Sequence, residues 1–148
     1  MTEGRADISI RIDGRTVSAP VGATIWEAAD ACGTAIPRLC HQSGFEPTGV
    51  CRVCAVEIEG GRALAPACHR RIEGGMVIRT NSERVTRSVR TLVEMLMADQ
   101  PPSSAEGGEK DSCDLEALAR ELGVLTNGGP RLSARPLAPP TDLTSPVI

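Results

Sequence analysis

Cysteines are the residues of this 148-residue chain best suited to bind metal or carry redox chemistry, and there are six of them. Four, Cys40, Cys51, Cys54 and Cys68, follow the spacing C-x10-C-x2-C-x13-C. A close pair of thiolates with one further thiolate on each side can wrap a small inorganic centre, as iron–sulfur clusters and structural zinc sites both require. The spacing therefore predicts a metal site with four cysteine ligands.

Three kinds of site compete for this spacing. A thioredoxin-like redox pair needs C-x-x-C at the start of a helix, whereas here the pair runs into the alternating stretch V-C-A-V-E-I-E. Structural zinc more often uses two C-x-x-C pairs, and Cys40 and Cys68 stand alone. A plant-type [2Fe–2S] centre shares the central C-x2-C and the distant fourth cysteine, with a shorter first spacing. The pattern favours [2Fe–2S], and zinc stays open as the alternative.

The loop between the first two of these cysteines contains Gly44 and Gly49. Glycine permits backbone angles that turn N–H groups toward cluster sulfurs, and such hydrogen bonds influence the reduction potential. The alternative is that both glycines simply turn the loop. Cys32 lies outside this set of four, and we expect it to be a buried inert thiol. We expect His41 and His69 to lie beside the site without ligating metal.

The surrounding residues predict a mixed sheet with one short helix. Alternating polar and apolar residues at 7–12 and 15–19 predict two strands joined by the turn-forming pair Asp13-Gly14. The stretch T-I-W-E has the form of a capping box, which predicts a helix over 24–32 ending at Gly33. Further strands are predicted at 53–59, 62–66 and 76–80. The fold class is therefore α+β.

A long helix is predicted after the sheet, over residues 82–99, with an apolar face that we expect to dock a partner. That face consists of Val85, Val89, Leu92, Val93, Leu96 and Met97. Residues 100–112 are rich in helix breakers, 114–123 predict a short helix, and the chain from 126 onward predicts little regular structure. We divide the chain into a domain at 1–81, a helical extension at 82–125 and an irregular tail at 126–148.

Composition excludes several classes of function. The formal net charge of −3 lacks the basic surplus of a nucleic-acid-binding domain. No apolar run has the length of a membrane span, and the opening M-T-E-G-R-A-D does not have the layout of a signal peptide. We therefore expect a cytoplasmic protein without membrane insertion, in which thiols stay reduced and metal ligation is the leading use of the cysteines.

The stretch I-P-R-L-C-H…G-V-C-R-V-C-A-V-E-I-E-G…A-C…G-M-V-I-R-T-N-S-E-R-V resembles the N-terminal [2Fe–2S] domain of a known family. Its members include the largest peripheral subunit of complex I, the iron–sulfur diaphorase subunit of NAD-reducing hydrogenases and the alpha subunit of NAD-dependent formate dehydrogenases. The resemblance covers roughly residues 7–99. It implies a ferredoxin-like β-grasp fold with Cys40, Cys51, Cys54 and Cys68 as the cluster ligands.

One departure from the family concerns a second cluster. The family continues with H-P-x-x-C-x2-C-x5-C, a histidine and three cysteines that hold a [4Fe–4S] cluster. At the corresponding positions this chain has Gln100, Ser104, Gly107 and Cys113. A single thiolate cannot hold four irons. We therefore expect one [2Fe–2S] cluster and no [4Fe–4S] cluster.

The resemblance implies one-electron transfer between a flavin- or NAD-binding subunit and a catalytic subunit of the molybdopterin or hydrogenase type. No G-x-G-x-x-G follows a predicted strand. We therefore expect no active site in the chain itself, which would be an accessory component of an oxidoreductase complex. The alternative is a structural zinc or metal-free scaffold module that holds subunits together without passing electrons.

Overall fold

The computed structural model describes residues 7–42, 44–99 and 114–124. Within these ranges the chain forms five strands and three helices. The strands are β1 (Asp7–Ile12), β2 (Arg15–Pro20), β3 (Ala55–Ile58), β4 (Ala65–Pro66) and β5 (Val77–Arg79). The helices are α1 (Ile25–Ala31), which lies between β2 and β3, and α2 (Glu83–Ala98) and α3 (Asp114–Glu121), which follow the sheet. The predicted elements are all present, with strands β3 to β5 shorter than expected.

The strands form one mixed sheet in the order β2-β1-β5-β3-β4. Strands β1 and β5 are parallel, and the other neighbouring strands pair antiparallel. The β1–β2 hairpin turns at Asp13 and Gly14, as the sequence predicts. Thr24 caps the N-terminus of α1. Its hydroxyl accepts the N–H of Glu27, and the Glu27 carboxylate accepts the N–H of Thr24, as in the predicted capping box.

A first hydrophobic core lies between the sheet and α1. Strand β1 contributes Ile10 and Ile12, and α1 contributes Ile25, all at most 1% exposed. The thiols of Cys54 and Cys68 belong to the same core. Part of the predicted metal site is therefore built into the main packing of the domain.

A second core lies along α2. The helix buries one face consisting of Val85, Val89, Val93 and Met97, and this face packs with residues of β3 and α3. The expectation that the face docks a partner is wrong, because the chain covers it itself. The second core also takes in Val53, and Leu39 and Cys51 pack against it. Helices α2 and α3 therefore support the loop that contains the cysteines.

Among the described helices, none combines the length and the apolar composition that a membrane span requires. The predictions for Gln100, Ser104, Gly107, Cys113 and the tail at 126–148 lie outside the described residues.

Candidate metal centre

The fold brings the four predicted cysteines together as two pairs of thiols. Cys54 and Cys68 lie with their sulfur atoms 3.4 Å apart. The thiols of Cys40 and Cys51 share a hydrogen bond. The pairs are close enough to each other that the charges of Cys54, Cys40 and Cys51 all act on Cys68.

The Cys54–Cys68 pair is held by the sheet and α1. Cys54 directly precedes β3, and its carbonyl accepts the N–H of Ala67 at 3.0 Å. Cys68 lies in a turn after β4, and the carbonyl of Ala67 accepts the N–H of Trp26 in α1 at 3.0 Å. Both side chains are only 1% exposed. Backbone hydrogen bonds and core packing therefore fix this pair together.

The Cys40–Cys51 pair lies nearer the surface, and both residues are half-buried. Burial alone would raise the pKa of the Cys40 thiol. Hydrogen bonds from the Thr48 hydroxyl, the Cys51 backbone and thiol, and the Val50 backbone outweigh that effect and lower the pKa to about 7. These donors stabilise negative charge on the Cys40 sulfur, which is the state required of a metal ligand.

Cys68 has the opposite surroundings. Burial, the hydrogen bond with Cys54, and the negative charges of the other three thiols raise the pKa of Cys68 to about 12. Four thiolates gathered in one place repel each other unless a cation is present between them. The arrangement is therefore suited to a positively charged metal centre.

The loop that carries Cys40 and Cys51 depends on left-handed backbone. Gly44 has φ of 88° and Gly49 has φ of 64°. The turn after Gly49 aims the N–H groups of Val50 and Cys51 at the Cys40 sulfur. Of the two explanations for the glycines, the structure supports N–H donation to sulfur at Gly49.

Trp26 is a positioning residue that the sequence did not single out. Its ring N–H donates to the carbonyl of Ile36 at 3.1 Å, and the Arg38 guanidinium carbon lies 4.2 Å from the centre of a Trp26 ring. His41 meets Trp26 edge-on at 5.5 Å between ring centres. Helix α1 thereby anchors the segment on both sides of Cys40. The sequence shows that Trp26 is the single Trp of the chain. It does not show which residues Trp26 contacts.

The remaining candidates lie outside the thiol cluster. Cys32 is half-buried, not fully buried as expected, and its thiol donates to the carbonyl of Ala29 at 3.1 Å. The Nδ1 atom of His41 is buried, with no hydrogen-bond partner among the described residues. Within the described ranges, no group of three or more His, Cys, Asp or Glu side chains is placed to hold one metal ion. The thiols are arranged as pairs instead.

The donor set fits an iron–sulfur cluster. Four thiols with backbone N–H groups directed at one of the sulfurs match the chemistry that such clusters require, because hydrogen bonds to sulfur offset the charge of thiolate ligands. The residues that could hold it are the four that the sequence predicts, Cys40, Cys51, Cys54 and Cys68.

Several known proteins are similar to this chain. A hydrogenase subunit of Solidesulfovibrio fructosivorans, described as NADP-reducing, is 39% identical over 79% of the chain and 21% of its own length. The mitochondrial 78 kDa subunit of NADH-ubiquinone oxidoreductase of Candida albicans is 35% identical over 80% of the chain and 16% of its own length. The chain therefore spans about a fifth or less of these curated relatives.

A solved structure is similar throughout the fold. A chain of an NAD+-reducing [NiFe]-hydrogenase in the H2-reduced state superposes with a TM-score of 0.74 at 31% identity. The superposition covers 88% of this chain and 55% of the hydrogenase chain. The predicted ferredoxin-like α+β fold and the family resemblance are both confirmed. Residues 5–83, more than half of the chain, match the family described as the 2Fe-2S iron-sulfur cluster binding domain, and the chain belongs to that family.

Proposed function

We propose that this chain carries one [2Fe–2S] cluster on Cys40, Cys51, Cys54 and Cys68 and transfers single electrons within an NAD(P)-dependent oxidoreductase complex. The observation that carries the proposal is the arrangement of the four thiols as two pairs. Each iron of a [2Fe–2S] centre takes two protein ligands. A structural zinc ion instead draws all four ligands into one tetrahedron. The paired arrangement therefore favours two irons over the zinc alternative.

The two pairs of cysteines would hold opposite sides of the cluster. When bound, a [2Fe–2S] cluster accepts and releases one electron. Cys54 and Cys68 would hold it on the side of the first core, where packing excludes water. Cys40 and Cys51 would hold it on the side of the loop, where Thr48 and backbone N–H groups stabilise thiolate charge. Electron exchange would take place at this more exposed side, where a partner can approach closely.

The same loop has an apolar outer surface. Phe45 is 72% exposed and Val50 is 76% exposed. Isolated exposed apolar residues are common on protein surfaces, but these two lie in the segment that leads to Cys51. Because the apolar face of α2 is buried within the chain, this loop is the better candidate for contact with a redox partner.

The partners proposed are a flavin- or NAD-binding subunit on one side and a catalytic subunit on the other. Relatives named as hydrogenase subunits support a hydrogenase-type catalytic subunit. A molybdopterin-type subunit, as in formate dehydrogenases, stays a prediction from the family resemblance. The chain's division at 81 and 125, its cytoplasmic location and the lack of a [4Fe–4S] cluster are also proposals. The family match ends at residue 83, close to the first boundary.

The deciding experiment measures metal and spectrum on the same anaerobic preparation. We expect two irons and two acid-labile sulfides per chain, visible absorption typical of iron–sulfur protein, and one S = 1/2 EPR signal after reduction. A colourless protein with bound zinc would support the scaffold alternative instead.

The relay is tested separately with the products of neighbouring genes. Co-expressed with a flavin-bearing neighbour, the chain should be reduced by NADH or NADPH, and it should not be reduced by either nucleotide alone. Reduction by nucleotide in the absence of any other subunit would contradict the accessory role. A cluster-loaded chain that no flavin-bearing neighbour reduces would contradict the relay.

A further inference from the structure

Two non-glycine residues in the described part of the chain have left-handed backbone, Asp13 with φ of 48° and Arg52 with φ of 60°. Eight of the described glycines share that conformation, as expected, because a side chain makes it unfavourable. Asp tolerates it better than most residues, since its short polar side chain can hydrogen-bond locally. Arg has no such advantage, so Arg52 is the outlier.

Contacts elsewhere compensate the conformation of Asp13 but not that of Arg52. The Asp13 carboxylate accepts the N–H of Thr80 at 2.8 Å and the Thr80 hydroxyl at 2.5 Å, which ties the hairpin to the end of β5. Arg52 is exposed, and its guanidinium makes no hydrogen bond, ion pair or ring contact with any described residue. No contact within the described chain therefore accounts for an arginine at this position.

The path of the backbone accounts for the left-handed angle at residue 52, but it does not account for an arginine side chain there. Arg52 lies between Cys51, whose N–H points at the Cys40 sulfur, and Val53, which is fully buried in the second core. The left-handed angle of Arg52 turns the chain from one to the other within a single residue. Glycine or asparagine would adopt it at lower cost. Arginine is therefore unfavourable for the backbone here, and no side-chain contact with the described residues offsets that cost.

We propose that Arg52 sets the reduction potential of the cluster through its positive charge. This inference rests on the proposed function. Arg52 directly follows Cys51, which belongs to the half-exposed pair. A cluster with four thiolate ligands is negatively charged, and its charge becomes more negative by one when it takes an electron from a reductant such as a reduced flavin. A nearby cation stabilises the reduced form more than the oxidised form, and net charge is a known determinant of cluster potential. Arg52 therefore raises the potential and makes the cluster a better electron acceptor.

The test compares four variants of the cluster-loaded full chain by redox titration at low ionic strength. Arg52→Asn and Arg52→Gly remove the charge and suit the left-handed angle, while Arg52→Lys keeps the charge. Arg15→Gln is the matched control. The Arg15 side chain is also exposed and has no hydrogen bond or ion pair with the described residues, but it lies in the β1–β2 hairpin. We expect a more negative midpoint potential in the Asn and Gly variants, and wild-type values for the Lys variant and the control. The shift should shrink at high salt, because exposed charges are screened.

Thermal melts of the same samples separate charge from structure. The Asn and Gly variants should melt at or above the wild-type temperature, because left-handed strain is relieved. A lowered potential in a protein of equal or greater stability cannot come from a damaged fold. Equal potentials in wild type, Arg52→Asn and Arg52→Gly, with unchanged visible spectra, would overturn the role of Arg52 and leave the proposed function intact. An equal shift in Arg52→Lys would also overturn it, since charge would not be the cause. A wild-type protein without iron would overturn the proposed function and this inference together.

Discussion

The two thiol pairs are chemically identical but are held in different ways. Cys54 and Cys68 are 1% exposed and belong to the first core. Cys40 and Cys51 are half-buried and are held by hydrogen bonds within a loop and by contacts with the second core. The buried pair is thus part of the first hydrophobic core. The half-exposed pair lies in a loop that packs against the second core. We expect the buried half to contribute more to stability, and the proposed function places electron exchange at the exposed half.

This difference has a counterpart in the pKa directions. Hydrogen-bond donors lower the pKa of Cys40 to about 7, whereas burial and the neighbouring thiols raise the pKa of Cys68 to about 12. The loop stabilises thiolate charge without help from metal. Cys68 instead favours the neutral thiol until a metal ion compensates the charge. Cys40 and Cys68 therefore differ in how far the protein itself stabilises the thiolate form that a metal ligand requires.

The largest expected effect comes from replacing one cysteine in each pair. Cys54→Ser and Cys40→Ser should both lose the cluster, because each removes a ligand. In the metal-free proteins, however, Cys54→Ser should cost about 1–3 kcal/mol more in the free energy of unfolding, because it buries a hydroxyl in an apolar core. Cys40→Ser places the hydroxyl in a half-exposed loop with donors nearby.

Urea denaturation of metal-free wild type and both variants measures this difference. Comparing metal-free forms is necessary, since loss of the cluster would otherwise dominate both results. Equal unfolding free energies for the two serine variants would mean that the pairs do not differ as the structure implies.

The next effect tests how the second core supports the loop. Val53 is fully buried between the two central cysteines, whereas Val50 is 76% exposed in the same loop. Val53→Ala should lower the unfolding free energy by about 2 kcal/mol, because it leaves a cavity beside α2. Val50→Ala should change it by less than about 0.5 kcal/mol, as exposed substitutions usually do.

The same two variants should also differ in cluster retention. Val53→Ala should lose iron faster to a chelator, since Val53 holds the backbone between Cys51 and Cys54. If both variants released iron at the wild-type rate, the second core would have no part in holding the site.

Much of the fold could be predicted from the sequence because its signals are local. The capping box at Thr24 and Glu27 and the Asp13-Gly14 turn depend on residues three apart or fewer, and both formed as predicted. The apolar face of α2 was also predicted, but not what covers it. That depends on how the chain folds back on itself, which periodicity does not encode. The predicted strand at 53–59 begins only at Ala55, because Val53 and Cys54 belong to the turn that shapes the site.

The sequence predicted which four cysteines come together, but it did not predict that one pair is buried and the other half-exposed. Spacing and family resemblance indicated Cys40, Cys51, Cys54 and Cys68, and the fold gathers all four. Nothing in the spacing distinguishes a buried thiol from an exposed one. Arg52 gave no sequence signal either, since a left-handed arginine is the opposite of what composition would suggest. Such features arise from tertiary packing and are visible only in the structure.

A smaller effect, on the midpoint potential, is expected from removing the Thr48 hydroxyl, which donates to Cys40. Thr48→Val keeps the shape of the side chain but removes its hydrogen bond to Cys40. With one donor fewer, the negative charge of the reduced cluster is less well stabilised, so the midpoint potential should become more negative. Thr48→Ser, which keeps the hydroxyl, should stay close to wild type in the same titration. A Val variant with the wild-type potential would show that the backbone N–H groups suffice.

The smallest effect, and the strictest test of a site made of two pairs, is expected at Cys113. The proposed cluster uses only Cys40, Cys51, Cys54 and Cys68, and a [4Fe–4S] cluster would need further ligands where the chain has Gln100, Ser104 and Gly107. Glycine has no donor, and Gln and Ser are hard ligands poorly suited to sulfide-bridged iron. Cys113→Ala should therefore leave iron content, the visible spectrum and the melting temperature at wild-type values, with Cys51→Ala as the control that loses all iron. If Cys113→Ala lowered the iron content or removed an EPR signal, a second centre would exist, and the two thiol pairs would no longer account for all the iron.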